Sequence, residues 1–244
     1  MSAFLKNFDG LQNNTIFCMW TGTNPMSAQR INALWTIFNH TRCPVAYINH
    51  DSYKDWELND YPFHAAFPYL SETHKSDYLR CYFMHHYGGG YSDLKLTHKS
   101  WIPLFEQLRK SSALALGYQE IAQGIPHVSG ALGDEIRAHH HQLIGLCAFI
   151  FKKQSRLTKE WLDLTHQVLD SKLEALRLHP AKHPQDQFGV LIEGVSGTNS
   201  PSPYPSPYPL RWAEILGEIF HPLTYANKAD LIQGDIAPIF HSYR

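Results

Sequence analysis

The sequence predicts an α/β fold: one domain on a mixed, mainly parallel central sheet flanked by helices. Three observations carry this. Within residues 15–49 an apolar β-rich run, a loop, a helical segment and a second apolar run follow in the order of a βαβ unit. A second helical segment stops at three consecutive glycines, Gly88 to Gly90, and gives way to another short extended run. Two further strand-length apolar runs, 112–119 and 146–153, precede a long amphipathic stretch. At 244 residues, 43% hydrophobic and 18% charged, the chain can fill one sizeable core.

Taken in order, TIFCMW (15–20) is a buried-strand candidate closed by the turn-prone TGTNP (21–25). Ser27 predicts the N-cap of a helix over 28–39, with Ile31, Leu34, Trp35 and Phe38 on one face. CPVAYIN (43–49) reads as the second strand. From Leu70 to His86, Tyr78, Leu79, Tyr82 and Phe83 recur at helical spacing, with Ser71 or Thr73 as cap. YSDLKL (91–96) follows as a short strand or strand-like turn. SALALGYQ and LCAFIFKK are further strands, and 158–176 is a helix whose apolar stripe of Trp161, Leu164, Val168, Leu169, Leu173 and Leu176 belongs to the core. The proline-dense SGTNSPSPYPSPYP (196–209) excludes helix and central strand and is an extended loop.

Composition narrows the function. A formal net charge of -1 gives no basic surface for nucleic acid or anionic lipid. The 16 histidines are scattered without zinc-finger spacing and no HExxH occurs, which disfavours a metallohydrolase. Cys18, Cys43, Cys81 and Cys147 form no CxxC pair and read as free thiols of a reducing compartment. The N-terminus lacks a secretory pattern, and the longest apolar run, 143–151, is too short for a bilayer span. The expectation is a soluble, cytoplasmic protein. Aromatic content of 13% is high; tyrosine and tryptophan fill cores, and they also line sites that stack on bases or sugars.

The chemistry concentrates in HKSDYLRCYFMHHYGGGYSDLKL (74–96). In an extended segment Asp93 and Lys95, two apart, face the same side, and the glycines before them would let backbone and ligand approach closely. Asp77 and Arg80, three apart, share a helix face. Each pair alone reads equally as an ordinary ion pair. Together, Ser76, Asp77, Arg80, Gly88, Gly89, Tyr91 and Asp93 resemble the signature SDxLRxxxLxxxGGxYxDxD of GT-A-fold nucleotide-sugar glycosyltransferases. The similar proteins are capsular polysaccharide synthesis proteins and α-1,6-mannosyltransferase-like, DxD-containing sugar transferases. The resemblance is concentrated in residues 76–93 and weaker elsewhere.

That resemblance implies a single Rossmann-like GT-A domain over 1–244, with a nucleotide-sugar-binding half (about 1–110) and an acceptor-side half (about 111–244). It implies transfer of a sugar from a nucleoside-diphosphate donor, UDP favoured over GDP, to a glycan or polysaccharide hydroxyl. IFCMWTGTNP (16–25) resembles the family's first strand and loop, so Trp20, Thr21 and Gly22 become candidates for base and ribose. HPQDQFGVLI (183–192) is similar to a QDQ segment beside the transferred sugar and points to Asp186 and Gln187, with Asp134 or Glu135 in the turn-rich GALGDE as reserve bases. Donor binding falls to Asp77, Arg80, Gly89, Tyr91, Asp93 and Lys95. Family metal chemistry implies Mn²⁺ or Mg²⁺ on Asp93 and on His241 of the C-terminal IFHSYR. Here the motif's second aspartate is Lys95, which cannot ligate a metal. Either a metal binds with fewer protein ligands, or Lys95 supplies positive charge directly. The alternative from another class is a non-catalytic nucleotide-sugar-binding module on a degenerate transferase fold.

Overall fold

The computed structural model describes residues 2–126, 128–190 and 205–241. The first part of the chain runs α1 (Ser2–Asn7), β1 (Ile16–Trp20), α2 (Ala28–His40), β2 (Val45–Asn49), α3 (Glu72–His86), β3 (Gly89–Ser92) and α4 (Ile102–Lys110). It continues with β4 (Ala115–Gln119), α5 (Gly130–Ala138), β5 (Ile144–Phe151), α6 (Arg156–Leu178), α7 (Gly217–Ala226) and β6 (Leu231–Gln233). The strands form one sheet in the order β2-β1-β3-β5-β4-β6. The β1–β2, β1–β3 and β4–β6 pairings are parallel; β5 runs against both its neighbours, β3 and β4. The sheet is therefore mixed and more parallel than not, as expected.

Each face of the sheet has its own apolar layer. α3, α6 and α7 pack with Phe17, Tyr91, Phe149 and Phe151 on one side. α2 and α4 pack with Ile16, Cys18, Ala148 and Ile150 on the other. This alternation of neighbouring strand residues between two layers follows from the two-residue period of a strand. β5, the longest apolar run of the sequence, is central, paired on both edges. Among the described residues no helix is long and apolar enough to cross a membrane.

α3 decides the site. Ser71 caps it, its Oγ accepting from His74 N. The far end stops because Gly88 takes φ +62° and donates its N–H to Phe83 O at 3.0 Å. The glycines allow close packing against the protein's own backbone. A Cβ on Gly88 would lie 2.8 Å from Lys153 N, and one on Gly89 (φ +89°) 2.8 Å from Thr15 O. Gly89 is thus pressed against protein backbone.

Two expectations are corrected. The α2 face bearing Ile31, Leu34, Trp35 and Phe38 is not the buried one. Ala33 and Ile37 face the sheet, while Ile31, Trp35 and Phe38 are exposed. The helix is apolar on both sides, so periodicity alone could not choose. GALGDE is the first part of α5, not a turn, because Gly133 and Ile136 bury one face of it.

Candidate functional site

β3 ends at Ser92, but pairing persists one residue further through Asp93 N–H to Cys147 O, 2.8 Å. A tight turn follows, closed by Lys95 N–H to Asp93 O at 2.7 Å. That turn, rather than strand alternation, brings the two side chains together: Lys95 Nζ donates to Asp93 Oδ2 at 2.9 Å. Tyr91 Oη donates to Asp93 Oδ1 at 2.8 Å, and Arg80 Nη2 stands 3.2 Å from the same oxygen. Arg80 comes from α3, where it also pairs with Asp77 at 3.5 Å and lies 4.6 Å over the Tyr91 ring. Five predicted residues thus form one cluster, with Asp77, Tyr91 and Lys95 buried and Arg80 and Asp93 partly exposed.

Burial and charge set the protonation states. Burial drives the Asp77 carboxyl up to about 7, with nearby Asp93 adding to the rise and Arg80 opposing it. Burial pushes the same way on Asp93, but the adjoining Arg80 and Lys95 overcome it and hold that carboxyl well below the usual range. Against its own burial, Lys95 is kept protonated by Asp93. Cys147 Sγ accepts from Lys95 Nζ at 2.7 Å, yet burial raises this thiol to about 12, so it stays uncharged. The Phe240 ring covers the ammonium at 5.3 Å.

Beside the cluster lies a cleft of about 290 Å³, walled by Trp20, Gly22 and Thr23 after β1 and by Tyr47, Asn49, His50 and Asp51 at the end of β2. Its place follows from topology. The chain leaves β1 toward α2 on one face and leaves β2 toward α3 on the other, which opens a crevice at the carboxyl ends of these adjacent strands. Trp20 Nε1 bonds Asn24 O at 2.8 Å and fixes the loop. Thr21 is buried and its Oγ1 donates to Glu72 O at 3.3 Å, tying that loop to the first turn of α3. Parallel pairing of Phe17 with Tyr91 sets the ends of β1 and β3 side by side.

The 183–187 loop is anchored to the same turn, Thr73 N and Oγ1 both bonding Pro184 O. Asp186 there is 1% exposed; its Oδ2 accepts from Lys182 N at 2.9 Å, while Oδ1 is buried without a protein partner. Glu72 Oε2 is a second such orphan. Gln187 is half-buried. The reserve bases stand elsewhere, Asp134 paired with Arg137 and Glu135 accepting from Tyr225 Oη at 2.6 Å. Of the proline-dense segment, 196–204 falls outside the described residues. Tyr208 is buried, its hydroxyl 3.1 Å from His74 Nδ1. His74 Nε2 faces Arg211 O at 3.0 Å, so the ring carries its proton there and Nδ1 accepts.

The donor set does not suit a divalent ion. Asp93 Oδ1 already meets Tyr91 and Arg80, and Oδ2 meets Lys95, so two fixed cations hold the carboxylate an ion would need. His241 is exposed, and among the described residues no three His, Cys, Asp or Glu side chains are grouped to hold a metal.

Sequence reasoning missed Cys147, Phe240, Tyr47, Asn49, His50, Asp51 and Glu72. Only the three at the carboxyl end of the second predicted strand, Asn49 to Asp51, could have been found from the βαβ pattern. No family model and no curated protein matches the chain. A solved structure titled PaToxG Glycosyltransferase superposes with a TM-score of 0.38 at 14% identity, over 72% of this chain and 67% of that one. So distant a likeness assigns no role to any residue here.

Proposed function

We propose that this protein transfers a glycosyl group from a nucleoside-diphosphate sugar to a hydroxyl of a glycan or polysaccharide. One observation carries the reading: the Asp77–Arg80–Asp93–Lys95 cluster and an aromatic-walled crevice lie at the same end of the sheet, after the parallel strands β3, β1 and β2. A nucleotide sugar needs both. Its nucleoside fits the crevice between Trp20 and Tyr47, and its diphosphate requires fixed positive charge as the sugar departs. Arg80 and Lys95 supply that charge with geometry set before substrate arrives. The carboxylates of Asp77 and Asp93 hold both cations and accept from sugar hydroxyls. The unpartnered oxygens of Asp186 and Glu72 are further acceptors for a hydroxyl-rich ligand. Asp186 is the candidate base if the reaction inverts the anomeric centre, and lies with Gln187 against the sugar if it retains it.

A second reading, a module that binds a nucleotide sugar without turnover, draws on the burial of Asp186, since a base must reach the acceptor hydroxyl. One experiment separates the two. The protein is incubated with a panel of UDP- and GDP-sugars, and both nucleoside-diphosphate release and thermal stabilisation are recorded. Release with at least one donor, lost in Asp93→Asn, supports transfer. Stabilisation without release by any donor supports the binding module. Neither signal with any donor sinks both.

A further inference from the structure

We propose that the cluster is a cation-independent diphosphate site, in which the Lys95 ammonium, seated between Asp93 and Cys147, takes the place of a divalent ion. This deepens the nucleotide-sugar reading and rests on it. The geometry argues it in three steps. First, the Asp93 carboxylate is committed: a hydroxyl and a guanidinium meet one oxygen, and the ammonium meets the other. A divalent ion on that carboxylate would sit against two resident cations that burial screens poorly. Second, the charge arithmetic closes. Replacing the second acidic residue of an Asp-x-Asp pair by lysine changes the charge by +2, which is the charge of one divalent ion. Asp93 with Lys95 alone is therefore as neutral as two aspartates with a metal. Third, Lys95 is held for the task. Its amine touches Asp93, a thiol and the Phe240 ring, and it is 7% exposed, so its charge is fixed and poorly hydrated. Such an ammonium interacts strongly with an incoming phosphate.

The test uses UDP and GDP as probes and measures their binding by calorimetry, in EDTA and again with Mn²⁺ added. Mn²⁺ binding is followed separately by the loss of the free-ion electron spin resonance signal. Expected is wild-type affinity for one of the nucleotides that agrees within about twofold in the two conditions. Lys95→Met should bind about tenfold more weakly in both, while Lys95→Arg keeps cation-independent binding. Lys95→Asp should bind weakly in EDTA, recover with Mn²⁺, and immobilise Mn²⁺ in the presence of nucleotide. Wild-type binding that requires Mn²⁺ overturns the proposal and leaves the transferase reading intact. Unchanged affinity in a folded Lys95→Met protein overturns it as well. Failure of wild type to bind either nucleotide under any condition removes the reading on which it stands.

Discussion

Asp77 gives the sharpest test at the level of a single residue. Its carboxyl sits at about 7 in the folded protein, chiefly through burial and secondarily through Asp93. Between an ordinary aspartate pKa and that value, the folded state keeps a proton that the unfolded chain has released. The contribution to stability is therefore complete at low pH and is lost as pH rises through about 7. Asp77→Asn mimics the protonated form at every pH. Urea midpoints at about pH 5 and pH 8 should differ less in this variant than in wild type, and any activity limb near pH 7 should flatten. Asp93 behaves in the opposite way. Asp93→Ala strands Arg80 and Lys95 in a mostly buried site, and should destabilise by about 3–5 kcal/mol in equilibrium unfolding. Asp93→Asn, which still accepts hydrogen bonds, should lose clearly less. Equal losses in the two variants would show that Asp93 contributes its negative charge, which both remove, and not its hydrogen-bond acceptance.

At the scale of elements, α3 and its two ends place the cluster. Ser71→Ala removes the N-cap and also a partner of His74 Nδ1, at 2.8 Å. Loss of the cap alone costs about 1 kcal/mol. The measured fall should exceed that, since buried His74 loses one of its contacts. Gly88→Ala places a side chain at φ +62° against Lys153 N, and should cost at least about 1–2 kcal/mol by denaturant titration. A neutral result would mean that β3 can shift away from Lys153 without loss.

The same elements show what was legible in the sequence. Asp77 and Arg80 could be read together because helix periodicity puts them on one face; Asp93 joined them only through the resemblance of residues 76–93 to a transferase signature. Ser27, Ser71 and the glycine stop bounded two helices for the same local reason. Cys147 and Phe240 could not be read. They reach Lys95 through pairing of β3 with β5 and of Leu96 with Ile239, contacts between segments far apart in the chain. α7 was hidden by Pro222 inside it, and β6 by its three-residue length. Tyr208 looked like part of a surface loop because proline density reports backbone shape, not what the tyrosine packs against.

For the whole molecule, the sheet order divides the site into two parts that can be perturbed separately. The crevice between the ends of β1 and β2 has aromatic walls and the cluster at the end of β3 is charged; in the proposed function the first takes the nucleoside and the second the diphosphate. If that division holds, uridine alone should compete for the crevice without sensing Lys95. Tyr47→Ala should then weaken uridine and UDP binding by the same factor, about 1–3 kcal/mol if the ring stacks on the base. Lys95→Met should weaken UDP and leave uridine unchanged. Because each substitution acts on a different part of the ligand, the double variant should bind UDP with the sum of the two losses, within about 0.5 kcal/mol. Calorimetry of the two ligands against wild type, both single variants and the double variant reads this directly. A Lys95→Met protein that loses uridine as strongly as UDP would mean that the cluster shapes the crevice instead of meeting the phosphates, and the assignment of the two parts would fall with it.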